Sequence, residues 1–177
     1  MPRQNRSDKD LLKFIDEHLG YELWMLARTT QILKAESAVD RETNNAVLQS
    51  LCLHARNLLE FFYSAKRTVR NGDAVAEDYF ASPDAWHHIC PQKSFDGLRM
   101  IYKRVGEEIA HLTYGRLDVV KKGWDSSALY KDISNVARIF LENAQSHLIG
   151  PKCHAVRNKC FSEYNRGTKG DGSGFDL

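Results

Sequence analysis

Apolar residues recur with a period near 3.6 in four long stretches of this chain, and this periodicity constrains the fold more than any other feature. The four stretches lie near residues 8–36, 41–69, 93–114 and 125–149. In the first of them, Leu11 and Ile15 begin a stripe that continues to Leu33. Because such a stripe marks the buried face of an amphipathic helix, the sequence predicts an all-α fold, a single-domain bundle of four main helices.

The start of the first helix is marked by capping residues. Ser7 is a good N-cap, and Asp10 follows it three residues later in a capping-box-like arrangement. Gly20 lies within the apolar stripe and is less favourable than alanine inside a helix by about 1 kcal/mol. The sequence therefore allows either one long helix or two helices that meet at Gly20.

The later helices are bounded by turn and cap residues. Gly115 is expected to end the third helix, because glycine readily adopts the conformation of a helix C-terminus. Either Asp125 or Ser126 is expected to cap the fourth, which should end at Gly150-Pro151.

The second and third helices are joined by a long connection, residues 70–92. Its first residues, Arg70-Asn71-Gly72-Asp73, favour a turn. A connection this long without structure is unusual in a compact domain, so a short helix is expected near 75–80. The best strand candidate, residues 117–120, is only four residues long.

The C-terminal residues differ in composition from the rest. Residues 165–177 are rich in glycine and poor in apolar residues, so a flexible, disordered tail is predicted after a helical domain of residues 1–164.

The overall composition limits the classes of function. The formal net charge of the 177 residues is +2, which provides no strong general attraction for nucleic acid or an anionic membrane. No apolar run is long enough to span a bilayer, and no membrane partner is expected. The basic N-terminus leads into polar residues rather than an apolar run, so no secretory signal is predicted and a cytoplasmic location is expected.

The third helix carries a candidate catalytic pair. Arg104 and His111 are seven residues apart, which on an α-helix places them on one face, with Glu108 between them on the same stripe. A histidine can transfer a proton near neutral pH, and an arginine can stabilise charge that develops on a phosphate. In the alternative interpretation, the arginine is solvated and the histidine packs between helices.

An arginine followed at this distance by a histidine, in a bundle of four helices, resembles the signature of HEPN domains. Many HEPN domains are ribonucleases that act without a metal ion, and they pair as dimers. The resemblance implies that Arg104 and His111 form a catalytic pair at a homodimer interface, with RNA as the substrate and no cofactor.

The second helix offers a candidate binding site. His54 lies on the apolar stripe, where it is either an interior hydrogen-bonding residue or a residue that faces His111. In the second case, Arg56 and Asn57 would border the same pocket.

Short segments also resemble a bacterial all-α family of unassigned activity, over about residues 45–125. They are His54-Ala55-Arg56-Asn57, Glu77-Asp78-Tyr79-Phe80 and His111-Leu112-Thr113-Tyr114-Gly115-Arg116. This resemblance implies no activity. The residues predicted to bind a ligand are His54, Arg56, Asn57, Glu108, Tyr114 and Arg116.

Metal sites are poorly supported by the spacing of possible ligands. Glu108 and His111 form half of the Glu-x-x-His pattern of di-metal bundles, and no second copy occurs, although Glu22 and Glu60 could add carboxylates. Cys153 and Cys160 do not have the close spacing of a structural zinc site. No metal is expected.

Three classes of function remain open from the sequence. The first is a metal-independent ribonuclease that uses Arg104 and His111. The second is a module that binds RNA or a nucleotide without chemistry. The third is a protein-interaction bundle in which His54 and His111 have structural roles.

Overall fold

The structure is a computed structural model that describes residues 5–35, 40–65, 68–91, 99, 102–110, 114–117 and 124–155. Within these ranges every regular element is helical and none is a strand, which confirms the all-α prediction. No helix in the described ranges combines the length and the apolar character that crossing a bilayer requires. The predicted tail, residues 165–177, lies outside the described ranges.

The first helical run is continuous and contains one irregular turn. It comprises α1 (Asp8–Phe14), a π-helical turn (Ile15–Leu19) and α2 (Gly20–Lys34). The Ser7 hydroxyl accepts the backbone N–H of Asp10, as its capping position predicts. The backbone N–H of Gly20 donates to Ile15 O, five residues back, so the glycine lies where the helix returns from the wider turn to α-helical geometry.

The second main helix, α3 (Arg41–Tyr63), ends earlier than its apolar pattern predicts. The Asp40 carboxylate caps its start by accepting the backbone N–H of Thr43, and Ser64 is extended at its end. In the last turn, the carbonyl of Phe62 accepts the indole N–H of Trp86 at 2.7 Å. This bond supplies a partner of the kind that the final carbonyls of a helix lack.

The long connection is more ordered than the sequence indicates. Its turn is closed by a hydrogen bond from the Asp73 N–H to Arg70 O, and a 3₁₀ helix (Ala76–Tyr79) follows, as predicted. An additional helix, α4 (Pro83–Ile89), was not predicted. Its start has a proline in the first turn, where the missing N–H costs no hydrogen bond.

The predicted third helix is irregular where it is described. Residues 102–105 are α-helical, and Gly106–Ala110 form a second π-helical turn. Gly115 lies within a 3₁₀ turn, Tyr114–Leu117. Since residues 111–113 lie outside the described ranges, its role at the end of the third helix stays a prediction. Of the strand candidate, Leu117 belongs to that turn and residues 118–120 lie outside the described ranges.

The last main helix, α5 (Ser126–Asn143), starts as predicted and ends early. The Asp125 carboxylate caps it by accepting the Ala128 N–H. The chain becomes extended at Ala144, and a 3₁₀ turn (Ser146–Leu148) follows. Residues 151–155 are again helical, so Pro151 begins a helical segment rather than ending one. Proline is favoured at such a start.

An aromatic cluster occupies the centre of the core. Phe140 on α5 is fully buried, and five aromatic rings lie with their centroids 5.3 to 5.9 Å from its own. The five are Phe61, Phe62, Tyr79, Phe80 and Trp86. All five pairs are edge-to-face, an arrangement that the charge distribution of aromatic rings favours. The cluster fixes α3, α4 and the 3₁₀ helix Ala76–Tyr79 against α5.

Candidate functional site

A polar cluster lies where α2 and α3 pack against each other. The Glu22 carboxylate on α2 has one oxygen, Oε2, at 2.8 Å from His54 Nδ1 on α3. Its other oxygen, Oε1, accepts a hydrogen bond from the Asn57 side-chain amide at 3.3 Å. One carboxylate is therefore held by two side chains from the neighbouring helix.

His54 is an interior residue. Its side chain is only 9% exposed, and the ring of Tyr21 contacts it edge-on at 5.7 Å between centroids. These neighbours agree with the prediction of an interior hydrogen-bonding histidine. The alternative, in which His54 faces His111, stays a prediction, because residue 111 lies outside the described ranges.

A second polar cluster overlaps the first along α3 and extends to Glu60. Arg56 Nε donates to Glu60 Oε1 at 3.1 Å, and the hydroxyl of Tyr102 donates to the same oxygen at 2.9 Å. The Arg56 guanidinium also lies over the ring of Tyr102, at 5.2 Å from its centroid. The hydrogen bond to Glu60 is the main cause of the raised pKa of Arg56, which keeps this arginine charged. Tyr102 is thereby linked to α3.

The two clusters line a single cleft with a volume of about 680 Å³. Volumes of this order are typical of sites that bind small molecules. Glu22, Arg56, Asn57, Glu60 and Tyr102 all line it. Further lining comes from the first helical run, from the end of α3 and from the turn after it, through Phe14, His18, Phe61, Ser64, Arg70 and Asp73.

Arg70 lies at the edge of this cleft on an ordered turn. Its backbone N–H donates to Asp73 Oδ2 at 2.9 Å, while the Asp73 N–H donates to Arg70 O at 3.1 Å. Reciprocal bonds of this kind stabilise a turn. They hold the backbone of an exposed arginine beside the cleft.

The predicted catalytic pair is not brought together by the described residues. The Arg104 guanidinium lies over the ring of Trp124 at 4.0 Å, an attractive cation–π geometry. The prediction that Arg104 and His111 share a helix face assumes a regular α-helix between them. The π-helical turn Gly106–Ala110 departs from that geometry, so their spacing no longer fixes a common face. Since His111 lies outside the described ranges, the pair stays a prediction.

The remaining predicted binding residues fall on the irregular part of the chain. Tyr114 is 90% exposed, and it is not among the residues that line the cleft. The side chains of Glu108 and Arg116 lie outside the part of the chain that the structure describes.

Possible metal ligands are dispersed in the described ranges. No cluster of three or more His, Cys, Asp or Glu side chains there has an arrangement that could hold a metal ion. The Cys153 thiol is buried, and burial raises its pKa to about 12, while Cys160 lies outside the described ranges. His87 pairs with the buried Glu77, with 2.6 Å between Nε2 and Oε1.

The sequence analysis did not predict Glu22, Arg70 or Tyr102 as binding residues. For Glu22, the sequence does contain a signal that could have identified it. A short connection makes α2 and α3 antiparallel neighbours, so residues equally far from it face each other. Glu22 is thirteen residues before residue 35, and His54 is fourteen residues after residue 40. Arg70 and Tyr102 had no such signal, because neither lies on α2 or α3 and no regular spacing relates them to the helical pair.

Fold and site together define an all-α protein with a polar cleft beside a helical hairpin. Comparison of the chain with family models, with curated proteins and with solved structures finds no match.

Proposed function

We propose that this protein binds a nucleotide, free or as a unit of single-stranded RNA, in the cleft between α2, α3 and Tyr102. One observation carries the proposal. The cleft combines two arginines, aromatic rings and a fixed carboxylate–amide pair within about 680 Å³. A nucleotide has a matching set of groups, namely a phosphate, a flat ring and a base edge with hydrogen-bond donors and acceptors.

The two arginines supply the contacts for phosphate. Arg56 donates to Glu60 only through Nε, and its two Nη atoms carry further N–H donors that suit phosphate oxygens. Arg70 adds a second positive charge at the edge of the cleft. The overall charge of +2 gives little general attraction for RNA, and Glu22, Glu60 and Asp73 line the cleft beside the arginines. Binding would therefore depend on the placement of the arginine N–H donors rather than on net charge.

Aromatic side chains in the cleft supply a surface for the base. Tyr102 is 38% exposed, and it is held in place by its hydroxyl bond to Glu60. Phe14 lines the cleft from α1. Stacking on such a ring contributes about 1–3 kcal/mol per base and does not depend on sequence.

The test compares two arginines that each pair with a glutamate four residues later on the same helix. Arg56 pairs with Glu60 inside the cleft, and Arg138 pairs with Glu142 on α5 and does not line it. We expect Arg56→Ala to weaken the binding of nucleoside monophosphates about tenfold or more in calorimetry, with a smaller dependence on salt. Arg138→Ala should leave binding unchanged. Equal effects of the two substitutions would contradict the proposal.

Ribonuclease activity is a second proposal, and it rests on the resemblance to HEPN domains. It requires His111 as the proton-transfer group and Arg104 beside the phosphate, with a homodimer in the cytoplasm as the active form. Cleavage of single-stranded RNA in the presence of EDTA by the wild type, and its loss in His111→Ala, would support it. Equal cleavage by both proteins, or none by either, would exclude it and leave binding in the cleft untouched.

A further inference from the structure

Glu22 borders the cleft with both of its carboxylate oxygens held from α3. Each of its oxygens has a polar partner on α3, Oε2 at His54 Nδ1 and Oε1 at the Asn57 amide. The ring of His54 is buried and packs against the ring of Tyr21, so the carboxylate is supported by an interior side chain. The side chain is nevertheless 22% exposed and lines the cleft.

Both oxygens of Glu22 can accept more than one hydrogen bond. A carboxylate has about four acceptor positions in total, and His54 and Asn57 use one on each oxygen. A second acceptor position therefore remains on each oxygen. Two acceptors side by side match a ligand that presents two parallel N–H donors on one edge.

Among the nucleobases, guanine presents such an edge, because N1–H and the N2 amino group point in the same direction. Adenine and cytosine each offer one amino donor beside a ring-nitrogen acceptor, which would face a carboxylate oxygen and be repelled. Uracil has a single N–H between two carbonyl groups. We propose that the cleft selects guanine, with Glu22 accepting N1–H and N2–H.

This inference rests on the proposed nucleotide site and makes that site specific. A polar site built to hydrogen-bond a group rejects ligands without it, because its own polar atoms are left unpaired. A bidentate pair of this kind discriminates against the wrong base by about tenfold or more. The phosphate and stacking contacts would be the same for every base.

The test is a calorimetric titration of the full chain with the monophosphates of guanosine, inosine, adenosine, cytidine and uridine. We expect guanosine monophosphate to bind most tightly, by about tenfold or more over adenosine monophosphate. Inosine monophosphate lacks the N2 amino group and should fall between them. Equal affinities would overturn guanine selection and leave the nucleotide site standing. No binding of any nucleotide would overturn both.

Two variants separate hydrogen bonding from charge. Glu22→Gln replaces one acceptor by an amide N–H, which opposes the donors of guanine, so the preference for guanosine monophosphate should disappear while adenosine monophosphate binds as before. Glu142→Gln removes the same charge from a glutamate that does not line the cleft and should retain the preference. Equal loss of the preference in Glu22→Gln and Glu142→Gln would overturn the role of Glu22. Wild-type selectivity decides the question even if Glu22→Gln is poorly folded.

Discussion

At the scale of single residues, Asp16 connects the first helical run to the end of the described chain. Its carboxylate accepts the backbone N–H of Cys153 at 3.0 Å, across 137 positions of sequence. Cys153 lies in the first turn of the helical residues 151–155, where N–H groups have no partner in their own helix. Asp16 therefore acts as a cap supplied from another part of the chain.

Gly150 leaves the space that the Asp16 side chain occupies when it caps Cys153, so substitution of Gly150 should reduce stability. A Cβ atom at position 150 would lie 2.7 Å from the Cβ of Asp16, where no real atom fits. We expect Gly150→Ala to lower the free energy of unfolding by about 1–3 kcal/mol, measured by urea denaturation. Gly72→Ala is the matched control, since nothing lies within 4 Å of its Cβ position. A loss of similar size in both variants would contradict the account.

Local residue roles were predictable from sequence, and distant ones were not. Ser7 and Asp125 cap their helices as expected, because a cap depends on only a few neighbouring positions. Asp16 caps a segment far along the chain, so nothing near it in sequence marks its role. The interior position of His54 agrees with one of the two interpretations of the sequence, and its partner Glu22 was considered only as a metal ligand.

At the scale of elements, the apolar period predicts where helices lie but not where they become irregular. The stripe through Ile15 and Leu19 continues across a π-helical turn, because both residues stay buried there. A second such turn, Gly106–Ala110, lies between the two residues of the proposed catalytic pair. A π-helical turn wraps more residues than an α-helical turn, so the face on which a residue lies is no longer fixed by its spacing.

The additional helix α4 attaches to the bundle through Trp86. This side chain is 1% exposed, and its indole N–H donates to the carbonyl of Phe62. Trp86→Phe keeps an aromatic ring in the core but removes the donor and leaves a gap, so we expect a loss of about 1–3 kcal/mol. Calorimetric melting of the variant would measure it.

Trp24 provides the control for that substitution. It is half-buried on α2, and its indole N–H has no hydrogen-bond partner within the described ranges. Trp24→Phe should change stability by less than about 1 kcal/mol. If Trp24→Phe were as damaging as Trp86→Phe, the hydrogen bond to Phe62 would not be what holds α4 in place.

At the scale of the whole molecule, buried cysteine thiols and tyrosine hydroxyls predict a loss of stability at alkaline pH. Burial raises the pKa of Cys90 and of Cys153 to about 12, and it also raises the pKa of Tyr63 and Tyr79. These groups are neutral when protonated, and an unfolded thiol ionises near pH ~8.5. The folded state holds these protons more strongly than the unfolded state. The contribution of the thiols to the free energy of unfolding is therefore complete below pH ~8.5 and is lost as the pH rises toward 12.

Urea denaturation over a pH series tests this dependence. The urea concentration at the unfolding midpoint should be steady near pH ~7 and should fall continuously above pH ~8.5. Cys153→Ala should be less stable near neutral pH because of the cavity, and its midpoint should then fall less steeply with pH. A midpoint that stays constant through this range would contradict the assignment of buried, neutral thiols.

The central claim is that the cleft between α2, α3 and Tyr102 holds a nucleotide, and NMR of the ¹⁵N-labelled chain tests it most directly. Titration with guanosine monophosphate is expected to shift backbone signals around Glu22, Asn57 and Arg70. Signals around Arg138, which does not line the cleft, should stay unchanged. The absence of any shift at saturating nucleotide, or shifts confined to residues away from the cleft, would contradict the claim.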